Sequence, residues 1–146
     1  MNKKIKIYTD GGARGNPGPA ATGVVIFDQD DKLLKIDAKY LGDATNNQAE
    51  YEALVQALQI AQKMDNIKSV ECYLDSELIV KQLNGIYKTK SDNIKQLKLR
   101  VDFLMQSFEE ISFHHIRREF NKIADKLVNI ALDAVEAKLK IHKCVT

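Results

Sequence analysis

Four acidic residues stand where the local pattern gives them little reason to be acidic. Asp10 closes a stretch in which Ile5 and Ile7 alternate with Lys4, Lys6 and Tyr8, the period of a half-buried strand. Asp75 closes a second such stretch, Val70, Cys72 and Leu74 against Glu71 and Tyr73. If the two strands are parallel neighbours, both carboxylates leave the sheet at one end, where ligands of open α/β sheets collect. Glu50 precedes Leu54 by four residues and Ala57 by seven, so it lies on the apolar stripe of its own helix. A carboxylate there is costly unless something positive meets it. Asp125 stands at the edge of another apolar helix face, three residues before Val128 and seven before Leu132. Singly, each has an ordinary explanation. Asp10 fits the opening of a turn before Gly11-Gly12, Asp75 a helix N-cap, and Asp125 a first-turn acid beside the helix dipole. None of these covers Glu50 on a buried stripe together with two strand-terminal acids. Converging carboxylates repel one another unless divalent cations lie between them, and hard oxygen ligands suit magnesium or manganese. That donor set points to metal-assisted phosphoryl chemistry.

The elements that must position these acids read as follows. Residues 4–9, Ala20–Phe27 and Leu33–Tyr40 form a three-strand meander, with the loop GGARGNPGP after the first strand and the turn DQDDK before the third. Leu54, Ala57, Leu58, Ala61 and Met64 predict a helix beginning near Asn46, and Thr45-Asn-Asn-Gln48 matches a capping box. A fourth strand at 70–75 and a short helix, Leu78–Leu83, end at the stop signal Asn84-Gly85. Ser91 is placed to cap a helix with the stripe Ile94, Leu97, Val101, Leu104, Met105 and Phe108. A fifth strand, Ile111–Ile116, and a last helix from about Asn121 complete the order βββαβααβα. This is an α/β fold with a five-stranded mixed sheet flanked by helices. One domain covers residues 1–137, and the basic stretch 138–146, KLKIHKCVT, is expected to be a tail without a clear fold.

At 146 residues the chain suffices for one core and not for two. It has no run of 18 or more apolar residues, so no membrane span is expected. Its basic start lacks the apolar core of a signal peptide, so a cytoplasmic location is expected. Cys72 and Cys144 sit in such different contexts that free thiols are expected, and no CxxC or HExxH spacing marks a zinc site. The net charge of +2 is modest, but Lys88, Lys90, Lys95, Lys98 and Arg100 face only Asp92 between Ile86 and Arg100. Such a cluster suits either a solvated helix face or a row of phosphates.

Four segments in order, TDGGARGNPGP, TNNQAEYEAL, LDSELIVKQLNG and REFNKIADKLVNIALD, resemble type 1 ribonuclease H over about residues 3–137. The resemblance implies the ribonuclease H-like fold and an endonuclease that cuts the RNA strand of an RNA/DNA hybrid duplex. It is similar to the compact archaeal-like branch without the basic protrusion. It implies that Asp10, Glu50, Asp75 and Asp125 hold two Mg2+ ions, with Mn2+ as a substitute. Asp10 would share one ion with Asp125 and the other with Glu50 and Asp75. Ions about 4 Å apart then serve the attacking water and the leaving oxygen, giving 5′-phosphate and 3′-hydroxyl ends. Gly11, Gly12, Ala13, Arg14 and Asn16 of the loop, with Asn46 and Asn47, match minor-groove contacts that read the 2′-hydroxyl. Thr45 matches a contact to a DNA phosphate, and Tyr87, Lys88 and Lys90 are expected near the DNA strand.

Three features set this sequence apart from many relatives. The loop before the last helix is short, so His114 and His115 read as strand residues. Arg118 takes the place nearest a catalytic histidine; it would stabilise phosphate charge or assist product release, and it cannot serve as a base near neutral pH. The segment Ile86–Lys90 is too short for the tryptophan-bearing protrusion, and the chain has no Trp. Glu77 stands where some relatives carry glutamine near the RNA. A monomer is expected. Two other classes remain open: a catalytically inactive nucleic-acid-binding module of the same fold, and a DNA-strand transferase or junction resolvase. Neither would need four clustered acids together with the NPGP loop and paired asparagines.

Overall fold

In the computed structural model, residues 3–145 are described, with Cys144 and Val145 described by backbone alone. Among them lie β1 (Lys3–Ala13), β2 (Gly18–Asp28), β3 (Leu33–Ala44), α1 (Asn46–Gln62), β4 (Ile67–Leu74), α2 (Glu77–Leu83), α3 (Asp92–Met105), β5 (Glu110–His115) and α4 (Lys122–Val145). A single 3-10 turn, Arg118–Phe120, precedes α4; it has no counterpart in the sequence reading. The sheet order is β3-β2-β1-β4-β5. β1 pairs antiparallel with β2 and parallel with β4, placing Thr9 beside Leu74. The mixed five-stranded α/β sheet expected from the periodicities is therefore present, with Asp10 and Asp75 at adjacent chain positions just past that pair.

The two faces of the sheet are covered unequally. Ile5, Ile7, Val24, Ile26, Val70, Cys72 and Leu74 form the main core with the apolar stripes of α1 and α3. On the other face α4 lies over β2 and contributes Val128 and Leu132 against Ala21. Burying a full aliphatic side chain is worth about 2 kcal/mol, so the main core carries most of the fold's stability. Cys72 is buried and free, and burial pushes its thiol well up. The expectation for the Cys144 side chain lies outside the described residues, and no helix among those residues is long and apolar enough to cross a membrane.

Several details differ from the sequence reading. β1 runs on through Asp10 to Ala13 because Gly11, Gly12 and Ala13 continue the ladder with Thr22, Ala21 and Ala20, so the GGA segment is strand before it is loop. Residues 138–145, expected as a tail, continue α4 to Val145 without a break. No Gly or Pro stands between Lys122 and Val145 to stop the helix. Thr146 lies outside the described residues. Ser91 occupies the N-cap position of α3, but its side chain makes no capping hydrogen bond.

Candidate active site

Each acid reaches the site by a different backbone route. α1 opens with the full capping box, in which the Gln48 amide donates to Thr45 Oγ1 at 3.1 Å and the Thr45 amide to Gln48 Oε1 at 2.8 Å. This fixes the helix start and with it the rotation that turns Glu50 inward. Glu50 is buried within the helix's apolar stripe. The neighbouring Tyr51 hydroxyl donates to Gln82 Oε1 at 2.7 Å, tying α1 to α2. α1 crosses β1 at Gly11, where a Cβ would overlap the Ala49 backbone. Only glycine permits that approach, and it brings Glu50 beside Asp10.

Asp10, Glu50 and Asp75 each place one carboxylate oxygen within 4.8 Å of the others. Asp125 meets the cluster from α4 and acts on Asp10 both through space and by a carboxyl contact. All four acids and Arg118 line one open cleft of about 460 Å3, together with Gly11, Gly12, Ala13, Arg14, Asn46 and Asn47. Burial first, then the charges of Asp75 and Asp125, push the Asp10 carboxyl up to about 7. Burial and the charges of Asp10 and Asp75 raise Glu50 well above the ordinary range, with a backbone hydrogen bond from Gly11 pulling the other way. Glu50 Oε2 has no hydrogen-bond partner. A buried carboxylate oxygen without a donor, among acids that repel it, is the situation a divalent cation relieves. The donor set fits magnesium or manganese.

One residue here escaped the sequence reading. Asn121, 2% exposed, donates from Nδ2 to the Thr9 carbonyl at 2.8 Å and to Asp75 Oδ2 at 3.2 Å. Its own carbonyl accepts from the Asp125 amide at 3.1 Å. It thus joins the chain next to Asp10, the Asp75 carboxylate and the turn that carries Asp125. Asn121→Ala leaves a buried carbonyl unpaired and frees Asp75. A loss of about 2 kcal/mol is expected, read as a lowered thermal midpoint together with reduced turnover; an unchanged midpoint would remove this role.

The loop residues are pinned from both sides. Asn46 Oδ1 accepts from the Ala13 amide at 2.9 Å, and Asn16 Oδ1 accepts from the Asn46 amide at 3.0 Å. The Asn16–Pro17 bond is cis. Arg14 reaches α4, pairing with Asp133 at 2.7 Å and Glu136 at 2.6 Å and donating to Asn129 at 3.2 Å. Tyr87, Lys88 and Lys90 line a second groove of about 600 Å3 that shares Asn47 with the acidic cleft. Glu77 is not brought into either; it pairs with Lys81 at 3.0 Å. Thr45 is at the helix cap and lines neither groove. His114 and His115 belong to β5 and are absent from the cleft. His114 bonds Ser112 at 2.7 Å and stacks on Tyr73, 5.2 Å between ring centres.

Four carboxylates gathered where the parallel pairing of β1 and β4 ends form a hard oxygen donor set of the kind that metal-assisted phosphoryl chemistry uses. Residues 8–131 match the family described as reverse transcriptase-like. A ribonuclease HI of Halobacterium salinarum is 39% identical over 130 residues, 89% of this chain and 65% of that protein. A bifunctional protein of Mycobacterium tuberculosis is 37% identical over 90% of this chain and 36% of its own length. The chain therefore spans only part of these relatives. Among solved structures, LC11-RNase H1 in complex with an RNA/DNA hybrid has a TM-score of 0.84 and 46% identity, covering 90% of this chain and 98% of that one. The chain belongs to the ribonuclease HI, or type 1 ribonuclease H, family.

Proposed function

We propose that this protein hydrolyses the RNA strand of RNA/DNA hybrids with two Mg2+ ions, Mn2+ substituting, and leaves 5′-phosphate and 3′-hydroxyl ends. The observation that carries this reading is the convergence of Asp10, Glu50, Asp75 and Asp125 in one cleft, with a Glu50 oxygen lacking any donor. When bound, the cations supply Lewis-acid activation of water and charge stabilisation at the phosphate. Asp10 meets Glu50 and Asp75 and also Asp125, so it would hold the cations together with all three. A neighbour of 46% identity is a ribonuclease H1 in complex with an RNA/DNA hybrid, which supports the choice of duplex.

The chain's own residues do the rest. The side-chain carbonyls of Asn16 and Asn46 are used to pin the loop and the α1 start, which leaves their amide NH2 groups to donate to a minor groove. A 2′-hydroxyl accepts such donors and a deoxyribose offers none. Arg14 is occupied by Asp133 and Glu136, so its part is to hold the loop rather than to grip a phosphate. Tyr87, Lys88 and Lys90 lie beyond Asn47, where they serve the opposite strand through phosphate neutralisation. Arg118 shares the acidic cleft and forms no ion pair among the described residues, leaving its guanidinium for the scissile phosphate or the departing product.

End-group analysis of a hybrid labelled in its RNA strand tests the chemistry. Products bearing 5′-phosphate that vanish with EDTA are expected; 2′,3′-cyclic ends would refute metal-directed water attack. Arg118→Ala is expected to slow turnover roughly tenfold, near the value of one charged contact, with hybrid affinity within about twofold. Unchanged kinetics would assign that step to another group.

A further inference from the structure

Asp125 depends on how closely α4 seats on the sheet, and one residue controls that seating. Gly23 is the register partner of Asp10 in the β1–β2 ladder. A Cβ at Gly23 would overlap the carbonyl of Ala124, the residue immediately before Asp125, and would lie 3.1 Å from Leu127 Cβ. Ala124 is buried at this crossing. The helix backbone therefore rests on bare strand directly across from Asp10. We infer that Gly23 is a positioning residue for the Asp10–Asp125 pair: its missing side chain lets α4 approach β2 and sets the carboxylate gap that a shared cation must fit. This rests on the metal-dependent reading above.

Gly11 and Gly23 divide the task. Gly11 follows Asp10 in sequence and admits α1 with Glu50 from one face; Gly23 lies beside Asp10 across the ladder and admits α4 with Asp125 from the other. Asp10 is thus held between two close helix crossings, each made of backbone against backbone. Such contacts do not yield by changing a side-chain rotamer, so a methyl group at Gly23 has to move α4 itself.

The test compares Gly23→Ala with wild type in two ways. Crystal structures of both proteins without metal read the gap directly: α4 is expected to shift outward at Ala124 by roughly 1 Å, the least that gives a Cβ ordinary contact distance, widening Asp10–Asp125 and leaving Asp10–Glu50 unchanged. The Mg2+ concentration for half-maximal hybrid cleavage is expected to rise about tenfold or more. Asp125→Glu, harmful alone, is expected to restore part of the loss in the Gly23→Ala background because the longer side chain spans the wider gap. An unchanged gap, or a Mg2+ requirement that neither rises nor responds to Asp125→Glu, overturns the inference. If Gly23→Ala does not fold, Ala21→Val applies a milder push to the same helix at Val128, with the same expected and opposing results. If wild type cleaves no hybrid, the proposed function fails and the crystallographic gap still decides the role of Gly23.

Discussion

Asp10→Asn is expected to abolish cleavage and at the same time to stabilise the metal-free protein. The two effects have one origin. Asp10 lies buried among Glu50, Asp75 and Asp125, and its carboxyl is pushed up to about 7 by burial and by the charges of Asp75 and Asp125. A group whose pKa is raised on folding binds more protons folded than unfolded between its ordinary value and the raised one. Stability then falls as pH climbs through that window. For Asp10 the window runs from the ordinary aspartate value of 3.8 to about 7. Without metal, wild type should therefore lose stability across this range, with Glu50 adding to the slope in the same direction.

The asparagine variant removes one of the repelling charges. At neutral pH it is expected to gain on the order of 2 kcal/mol, or about 5 °C in thermal midpoint, and to show a flatter pH profile. Added Mg2+ should stabilise wild type and not the variant. If Asp10 holds the proposed metal ions, its loss should cost about 4 kcal/mol of transition-state stabilisation, or ~10³-fold in rate. Thermal unfolding in EDTA at pH 4.5 and 7, beside a cleavage assay, checks both halves. A variant less stable than wild type at pH 7 would remove the repulsion argument.

Gly11→Ala is expected to have the largest effect on stability. A Cβ at this position would overlap the Ala49 carbonyl group and the Glu50 nitrogen. These are backbone atoms of a helix whose other side is packed into the main core. The helix must move as a body or the strand must bend, and overpacking of this kind costs about 3 kcal/mol. A fall of about 8 °C in thermal midpoint follows. Because the displaced residues carry Glu50, activity should fall further than stability accounts for, even at temperatures where the variant is folded. Gly12, whose added Cβ would lie 3.6 Å from a Val128 methyl in ordinary contact, supplies the comparison: Gly12→Ala should be far milder. Equal midpoints for the two variants would contradict the assignment of a close crossing to Gly11.

Much of the site was legible in the sequence because its signals are local. Glu50 on an apolar helical stripe, and Asp10 and Asp75 directly after alternating segments, follow from periods of 3.6 and 2; that β1 runs on past Asp10 does not. The capping box at Thr45 and the stop at Asn84-Gly85, where Gly85 has a φ of 78°, depend on a few neighbouring residues. The remainder depends on contacts distant in the chain. Asn121 meets Thr9 112 positions away, and Arg14 meets Asp133 119 positions away. No periodicity records such pairs. Gly23 lies in an apolar run where glycine looks merely permissive, and only the crossing of α4 gives it a purpose. α4 itself outran its expected end because Leu139 and Ile141 are exposed and helix formation there requires no core stripe.

The most direct test of the central claim places a strand-labelled RNA/DNA hybrid beside matched DNA/DNA and RNA/RNA duplexes, each with Mg2+, Mn2+ or EDTA, and with Asp10→Asn as the inactive control. Cutting confined to the RNA strand of the hybrid, dependent on metal and absent from the variant, is the expected result. Cleavage of DNA/DNA to a similar extent would contradict selection by the 2′-hydroxyl. Binding of the hybrid without cutting under any metal would show a nucleic-acid-binding module in which the four carboxylates serve no hydrolysis.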